Sequence, residues 1–370
     1  MSRNVPSDPV LAALRAPRTV LALDADGWMH LIHAARRHGL LARLSADLNE
    51  AGLLEQVPGK AREQLAEATA TAVLNRTVMG FEINRVRRAL RGLDVPVVLL
   101  KGGAYLMAGL PAQRGRVAGD LDIMVPRTRL DEVERAMTAH GWVPLIADPY
   151  DQHYYRDWTH QIPPLHHQER RTELDIHHTI APPTSRARPD TVALFQDARP
   201  LPDCGVAVLS PPDMVLHSAV HLFNEEMGMG LRNLFDLHDL LIHFGGQPGF
   251  WPALAARARL HGLGRPLFYC VHFCARVCGT PIASEGKAAV AQFGPGRLVG
   301  ALMDWLVPLA ILPNPPGHAR RGAGLARWLL FVRAHWLKMP PGMLARHLAI
   351  KALRRARPAP PGPRVPAPRP

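Results

Sequence analysis

The fold is decided by residues 99–125, "LLKGGAYLMAGLPAQRGRVAGDLDIMV". A short apolar run of the β type ends in a Lys-Gly-Gly turn, and a helix-like segment and a basic loop follow. A second apolar run then carries Asp120 and Asp122. Because side chains i and i+2 of a strand point to the same face, both carboxylates are predicted to project together, with Leu121 and Ile123 on the opposite, buried face.

Two carboxylates held this close repel each other, and burial adds to the cost of keeping both charged. A divalent cation bound by both side chains removes these costs. Mg²⁺ prefers oxygen ligands and keeps coordination positions for water and substrate phosphates. The sequence therefore predicts a magnesium site at Asp120 and Asp122, with Mn²⁺ as the alternative ion.

A third carboxylate, Asp175, lies in the later β-type run "ELDIHH". Antiparallel pairing is expected to bring it beside the first two, with Glu173 and His177 on the same strand face. Three carboxylates can hold two Mg²⁺ ions, of which one activates a hydroxyl nucleophile and the other holds a triphosphate and the leaving pyrophosphate. Asp175 is also placed to accept the proton of the nucleophile.

The turn that precedes the helix-like segment is predicted to bind phosphate. Glycine lets the backbone approach a ligand closely, and free amides at a helix start attract anions. Lys101, Gly102 and Gly103 are therefore candidate nucleotide-binding residues. Arg116, four residues before Asp120, is placed either to meet a phosphate or to brace the carboxylates.

The rest of the chain predicts helices on both sides of a mixed region. We expect an N-terminal helical region over 1–93, a core of strands and helices over 94–210, a C-terminal helical domain over 211–355 and a disordered Pro/Arg-rich tail over 356–370. The fold class is therefore α+β, a mixed sheet flanked by helices. Within the core, "HYYRDW", "THQIPPLHH" and "TELDIHHTI" are predicted as successive strands and "VAVLS" as an edge strand.

Composition limits the classes of protein. A hydrophobic fraction of 47% excludes a disordered chain, and four cysteines are too few for a disulfide scaffold. The apolar stretch 298–312 predicts a buried helix that is too short to span a bilayer. With no signal peptide in the sequence, a cytoplasmic location is expected. The net charge of +13 permits nucleic-acid binding, but much of the excess lies in the tail, so this partner is not favoured.

These motifs together resemble the nucleotidyltransferase fold of the polymerase-β type. The segments "VPVVLLKGGAYL", "RVAGDLDIMVP", "ELDIHHTI", "DMVLHSAVHLF" and "LRNLFDLHDLL" are more closely similar to those of uncharacterised bacterial nucleotidyltransferases, over about residues 20–310. The resemblance implies transfer of a nucleoside monophosphate from an NTP to a hydroxyl or similar acceptor on a small molecule, sugar or peptide, with release of pyrophosphate.

The resemblance also implies roles for single residues. Gly102 and Gly103 would lie at the nucleotide phosphates, and Asp120, Asp122 and Asp175 would bind the metal ions. Arg232 and Asp236 match a helical segment of the family without an assigned role. The sequence departs from the family pattern in three places: Gly103 replaces a typical serine, the loop before Asp120 is long, and "HHT" replaces an aromatic after the histidine.

Three other functions remain open from the sequence. Histidines that cluster with acids over 150–178 allow a zinc hydrolase, although the sequence has no HExxH motif. The candidate histidines are His153, His160, His166, His167, His177 and His178. A catalytically inactive nucleotide-binding or partner-binding module would keep the same pattern. An enzyme acting on a nucleic acid such as a tRNA end would use the basic surface.

Overall fold

The computed structural model describes residues 8–355, apart from 147, 171, 203, 226 and 316–318, so the tail predicted over 356–370 lies outside the described residues. Helices occupy both ends of the chain. Before the sheet the helices are α1 Pro9–Arg15, α2 Ala25–Arg37, α3 Leu41–Glu50 and α4 Gly59–Ala89. Within the sheet region they are α5 Lys101–Met107, α6 Leu130–Ala139, α7 Pro149–His153 and α8 Thr191–Gln196. After it come α9 Pro211–Asn224, α10 Gly230–Gly245, α11 Phe250–Leu260, α12 Gly264–Phe273, α13 Ser284–Ala291, α14 Arg297–Ile311, α15 Ala323–Lys338 and α16 Pro341–Arg355.

A seven-stranded mixed sheet forms the centre of the molecule. Its strands are β1 Val98–Leu99, β2 Asp120–Met124, β3 Trp142–Pro144, β4 Leu165–His167, β5 Glu173–His177, β6 Arg199–Pro200 and β7 Ala207–Val208. Their order in the sheet is β3-β4-β5-β2-β1-β7-β6. This sheet, with helices before and after it, confirms the predicted α+β class.

The two strands that carry the aspartates are neighbours, but they run parallel, so the expected antiparallel pairing is wrong. The reason lies in the connection between them. The helix α6 connects β2 to β3, which runs parallel to β2. The chain then reverses direction twice, because β3 pairs antiparallel with β4 and β4 pairs antiparallel with β5. β5 therefore runs parallel to β2.

The segment "HYYRDW" is helical, so the predicted strand is wrong. Asp148 caps α7 by accepting hydrogen bonds from the backbone N–H groups of Tyr150 and Asp151, and Pro149 occupies the first helical position. The chain continues as a π-helix over Tyr154–Trp158. The aromatic rings of this segment pack around His347 of α16, which is a partner that local sequence does not reveal.

Two further expectations need correction. The strand in "VAVLS", β7, is not at the edge, because β6 pairs with it on its outer side. The apolar stretch after 297 is helical as predicted, but α14 is buried on one face only, and Leu298 is 88% exposed.

The N-terminal helices are joined to the C-terminal ones by a buried ion-pair cluster. Arg43 of α3 donates two hydrogen bonds to Asp239 of α10, at 2.5 and 2.9 Å, and pairs with Asp47 one turn further along its own helix. All three side chains are buried, so the ion pairs replace the interactions that these charges would make with water. This contact holds α3 against α10. None of the described helices is long and apolar enough to cross a membrane.

Candidate active site

Three aspartates lie on one face of the two central strands. In the parallel register Asp122 of β2 is paired with Asp175 of β5, and Asp120 lies two residues before Asp122. On the opposite face Leu121 and Leu174 are fully buried in the hydrophobic core. The apolar neighbours thus fix the strand orientation, and the carboxylates have to share the other face.

Lys101 neutralises the most deeply buried of these carboxylates. Its Nζ atom lies 2.8 Å from Oδ1 of Asp122, which is 3% exposed. Burial would lower the pKa of Lys101, but the charges of Asp122 and Glu225 outweigh it and raise the pKa to about 12. Among the described residues Lys101 is the one non-glycine residue with a left-handed φ, +41°. Such strain persists only where the surrounding contacts hold it, and here the ion pair with Asp122 does so.

His177, at the end of β5, is the second partner of Asp122. Its Nε2 atom donates a hydrogen bond of 2.9 Å to the same Oδ1 that Lys101 contacts. Burial alone would raise the pKa of Asp122, but the charge of Lys101 and the hydrogen bond from His177 hold it well below its usual range. Asp122 is therefore ionised at neutral pH, and Oδ1 is the oxygen that the protein itself engages.

The other two carboxylates have the opposite tendency. Burial, and next the charge of Asp122, raise the pKa of Asp175 to about 6. The same two causes raise the pKa of Asp120, which is only partly buried at the start of β2. Three carboxylates thus share one face of the sheet, and the single positive charge of Lys101 does not compensate all of them.

The residues present fit a divalent cation. One carboxylate oxygen each of Asp122 and Asp175 and one ring nitrogen of His177 lie within 4.8 Å of one another. Carboxylate oxygens are the donors that Mg²⁺ prefers, and His177 would orient Asp122 through its hydrogen bond. In the described part of the chain this is the one group of three such residues, and Asp120 lies next to it without belonging to it.

The raised pKa of Asp175 gives a prediction about stability. Between about pH 4 and 6 the folded protein binds a proton at Asp175 that the unfolded chain has lost, so the free energy of unfolding falls as the pH rises. Asp175→Asn removes this dependence. In chelator-treated protein we compare the free energies of unfolding of variant and wild type. We expect the difference, variant minus wild type, to increase by up to about 3 kcal/mol as the pH rises across that interval. Urea unfolding at several pH values measures it, and parallel pH profiles would contradict the expectation.

The two glycines of the predicted phosphate-binding turn are buried in the first turn of α5. A Cβ on Gly103 would lie 3.0 Å from Cδ1 of Leu121, and one on Gly102 would lie 3.1 Å from Nε of Arg116. The absence of a side chain thus lets Gly103 pack closely on β2 and Gly102 on the loop that precedes β2. Their part in nucleotide binding stays a prediction.

Arg116 is bound within the protein. Its guanidinium pairs with the carboxylate of Asp236 in α10 and lies over the ring of Tyr105, 5.6 Å from the centroid. Arg232, one turn earlier in α10, donates a hydrogen bond of 3.0 Å to the carbonyl oxygen of Val117. The two α10 residues without an assigned role thus hold the basic loop that leads into β2.

Gly115 allows this loop to lie directly against α3. It has a φ of +63°, and a Cβ there would lie 2.3 Å from the backbone nitrogen of Arg43. Gly109 has the same φ of +63° but nothing within 4 Å of its Cβ position, so it is a matched control.

We expect Gly115→Ala to lower the free energy of unfolding by at least about 2 kcal/mol more than Gly109→Ala does, because only Gly115 adds a backbone clash to the left-handed strain. Denaturant unfolding of the two variants measures the difference. Equal losses in the two variants would show that the loop does not need this close approach.

Four polar residues that the sequence does not predict for the magnesium site surround it, and of these only His160 is a candidate in the zinc alternative. The ring of His160 lies 5.0 Å from that of His177, and the ring of His217 in α9 lies 6.3 Å from it. The carboxylate of Glu225 is 3.6 Å from His160 Nε2 and 3.8 Å from His221 Nδ1. Burial lowers the pKa of His160 to about 3 and that of His221 to about 4, so both imidazoles are neutral at pH 7.

A sequence signal for part of this group exists. His217, His221 and Glu225 recur every four residues, which places them along one side of a helix and its end. Of the histidines of the zinc alternative, His160 and His177 lie at this site. His153 is exposed and pairs with Asp157, and the Nε2 atom of His178 binds the carbonyl oxygen of Thr159.

The fold and this carboxylate site define a protein of the nucleotidyltransferase type. A family model described as "Uncharacterised nucleotidyltransferase" matches residues 24–279, and the chain belongs to that family. The match ends before α13, so it is shorter than the 20–310 expected from the motifs. Searches of curated proteins and of solved structures found no significant match. Family membership supports nucleotidyl transfer as the general activity and an NTP as the substrate.

Proposed function

We propose that the protein is a magnesium-dependent nucleotidyltransferase that transfers a nucleoside monophosphate from an NTP to a hydroxyl or similar acceptor. The observation that carries the proposal is the register of β2 and β5, which pairs Asp122 with Asp175 two residues after Asp120. Mg²⁺ bound at these carboxylates would polarise the triphosphate and stabilise the leaving pyrophosphate. Mn²⁺ would fit the same oxygen donors.

The bond changes of the proposed reaction balance without another reactant. The acceptor oxygen forms a bond to the α-phosphorus, and the bond between that phosphorus and the oxygen bridging to the β-phosphate breaks, which releases pyrophosphate. Asp175 takes the acceptor proton. Its pKa, raised to about 6 by burial and by Asp122, is close to the working pH, as a general base requires.

Two basic residues have different parts in this proposal. Lys101, at the start of α5, keeps Asp122 ionised from inside the protein and sets its orientation. Arg116 braces the loop before β2, because its guanidinium is bound to Asp236. The nucleotide phosphates would lie at the turn of Lys101, Gly102 and Gly103.

The acceptor would bind on the side of the site where α9 ends. Glu225 there contacts two neutral imidazoles at more than 3.5 Å, so its carboxylate is able to accept hydrogen bonds from a ligand. An acceptor with several hydroxyl or amino donors, such as a sugar, a peptide or another small molecule, would be able to donate hydrogen bonds to Glu225. We place the reaction in the cytoplasm, where NTPs are supplied.

Substrates labelled at either the α- or the γ-phosphate test the proposed reaction. The purified protein is incubated with Mg²⁺, an acceptor panel and each NTP carrying either an α-phosphate or a γ-phosphate label. Nucleotidyl transfer moves the α-label to the acceptor, adds the mass of one NMP and releases pyrophosphate. Transfer of the γ-label with a mass gain of one phosphate would instead make the protein a kinase, and stoichiometric zinc in the purified protein would favour the hydrolase.

A further inference from the structure

The positive charge of the chain is concentrated at its C-terminal end. Residues 297–370 contain 13 of the 44 Lys and Arg residues but only one of the 31 Asp and Glu residues, Asp304. The remaining 296 residues, with 31 basic and 30 acidic side chains, are close to neutral. The described part of the basic segment consists of α14, α15, α16 and the described residues that connect them, all of which lie outside the family match to 24–279.

The same helices expose a row of large apolar side chains. In α14 and α15 these residues recur every three or four positions, which places them along one side of each helix. We call this set the apolar stripe: Leu298, Leu302, Trp305, Leu325, Trp328, Val332 and Trp336. Trp328 is 59% exposed and Trp336 is 46% exposed. The two helices pack against each other, and their other sides, with Val307 and Leu330, are buried in the core.

Exposed arginines accompany the stripe. Arg297, Arg321, Arg327 and Arg346 are exposed and have no ion pair with any described carboxylate. They differ in this from Arg320, whose guanidinium is held by Asp8 at 3.1 Å. Their charge is thus available to a partner.

A basic recess adjoins the stripe. A cavity of about 1000 Å³ lies between α2 and α15, and Trp328 and Phe331 form part of its wall. Arg37, Arg327 and His33 line it as well. The recess is therefore both cationic and aromatic, which suits an anionic headgroup attached to an apolar group.

We propose that α14 and α15 dock the protein on the surface of an anionic phospholipid bilayer, with the apolar stripe in the lipid interface and the exposed arginines at the phosphates. Trp and Leu side chains exposed along one side of a helix favour this interface, and exposed arginines in the same segment of the chain favour its anionic headgroups. Each basic residue near such a surface adds to the attraction. The chemistry goes beyond the proposed transfer reaction, which does not require a membrane.

Two other occupants fit the observations less well. A second copy of this surface would bring two strongly basic helix pairs together with a single acidic residue, Asp304, on each. An RNA would satisfy the arginines but would leave the three leucines and the valine of the stripe in water. A bilayer with acidic lipids satisfies both kinds of side chain.

Co-flotation of the full-length protein with vesicles tests the proposal. We expect binding to vesicles of phosphatidylcholine with a quarter phosphatidylglycerol, weak binding to phosphatidylcholine alone, and loss of binding in high salt. Arg321→Glu/Arg327→Glu and Trp328→Ser/Trp336→Ser are each expected to lower the partition coefficient at least about tenfold. A blue shift of tryptophan fluorescence on binding, absent in the tryptophan variant, shows that the stripe enters the interface.

Matched controls are available on the opposite end of the chain. Leu74 and Val78 of α4 are exposed apolar residues, and Arg88 and Arg91 are exposed arginines outside the helix pair. Leu74→Ser/Val78→Ser and Arg88→Glu/Arg91→Glu are expected to leave the partition coefficient within about threefold of wild type.

Four results would overturn the proposal: equal binding to both kinds of vesicle, equal losses in the control variants, an RNA that binds the helix pair and displaces the vesicles, or a solution dimer that Trp328→Ser/Trp336→Ser disrupts. Transfer to a soluble acceptor is measured in parallel. It should be unchanged in all four variants, so failure of membrane docking and failure of the proposed reaction are distinguishable.

Discussion

Asp122→Asn is expected to lower the rate of nucleotidyl transfer at least about 10³-fold, since a metal held by this carboxylate supplies several kcal/mol of transition-state stabilisation. The asparagine keeps an oxygen that accepts hydrogen bonds from Lys101 and His177 but loses the negative charge. Asp122 is the most buried member of the group and lies between the other two aspartates. Its charge is therefore the one that a metal bound at this face would need most.

The fold should survive this replacement. Asp120 and Asp175 remain on the same face to compensate the charge of Lys101, and the pKa of Asp175 should fall because its like-charged neighbour is gone. Circular dichroism and thermal unfolding check the fold. The rate is measured by transfer of the α-phosphate label to the acceptor at saturating NTP.

A control and a contrary outcome make the experiment decisive. Asp197 lies on α8's C-terminal side, is largely exposed and pairs with Arg257, so Asp197→Asn removes a carboxylate away from the site. It should leave the rate within about twofold of wild type. Full activity in Asp122→Asn would exclude the proposed carboxylate site. If the wild type binds NTP but never turns it over with any acceptor, the chain is an inactive nucleotide-binding module.

The strands of the site could be predicted because their signals are local. In β2 and β5 an aspartate alternates with apolar residues, and Leu121 and Leu174 are buried as the period of two requires. The direction of β5 could not be predicted in this way. It depends on the path through α6, β3 and β4, which no pattern within β5 reports.

Contacts between distant segments were the hardest to predict. Arg116 was expected to meet a phosphate or to brace the carboxylates, and its partner is a residue 120 positions later in the chain. The helix at "HYYRDW" depends on packing against His347 of α16. The aromatic residues of this segment favour a strand. The cap at Asp148 and the packing against His347 instead make it helical.

Asp236→Asn is expected to lower the free energy of unfolding by about 3–5 kcal/mol, because it leaves the buried guanidinium of Arg116 without a counter-charge. Both side chains are nearly buried, at 11% and 10% exposed. Tyr105 offers the guanidinium only a ring face, and burial raises the pKa of that tyrosine to about 12, so it supplies no negative charge at pH 7. Urea unfolding with a fitted m-value measures the loss.

Two further variants show whether the loss of unfolding free energy comes from the uncompensated charge or from altered packing. Arg116→Met/Asp236→Leu removes both charges and should recover most of the lost stability, because two apolar side chains need no compensation. Glu55→Gln breaks the exposed pair between Glu55, 90% exposed, and Arg62, and should cost less than about 1 kcal/mol. If Asp236→Asn costs no more than Glu55→Gln, the pair with Arg116 does not hold the loop. If the double variant is stable but slow in transfer, Arg116 acts on the reaction by positioning Asp120, which begins β2 four residues further along the chain.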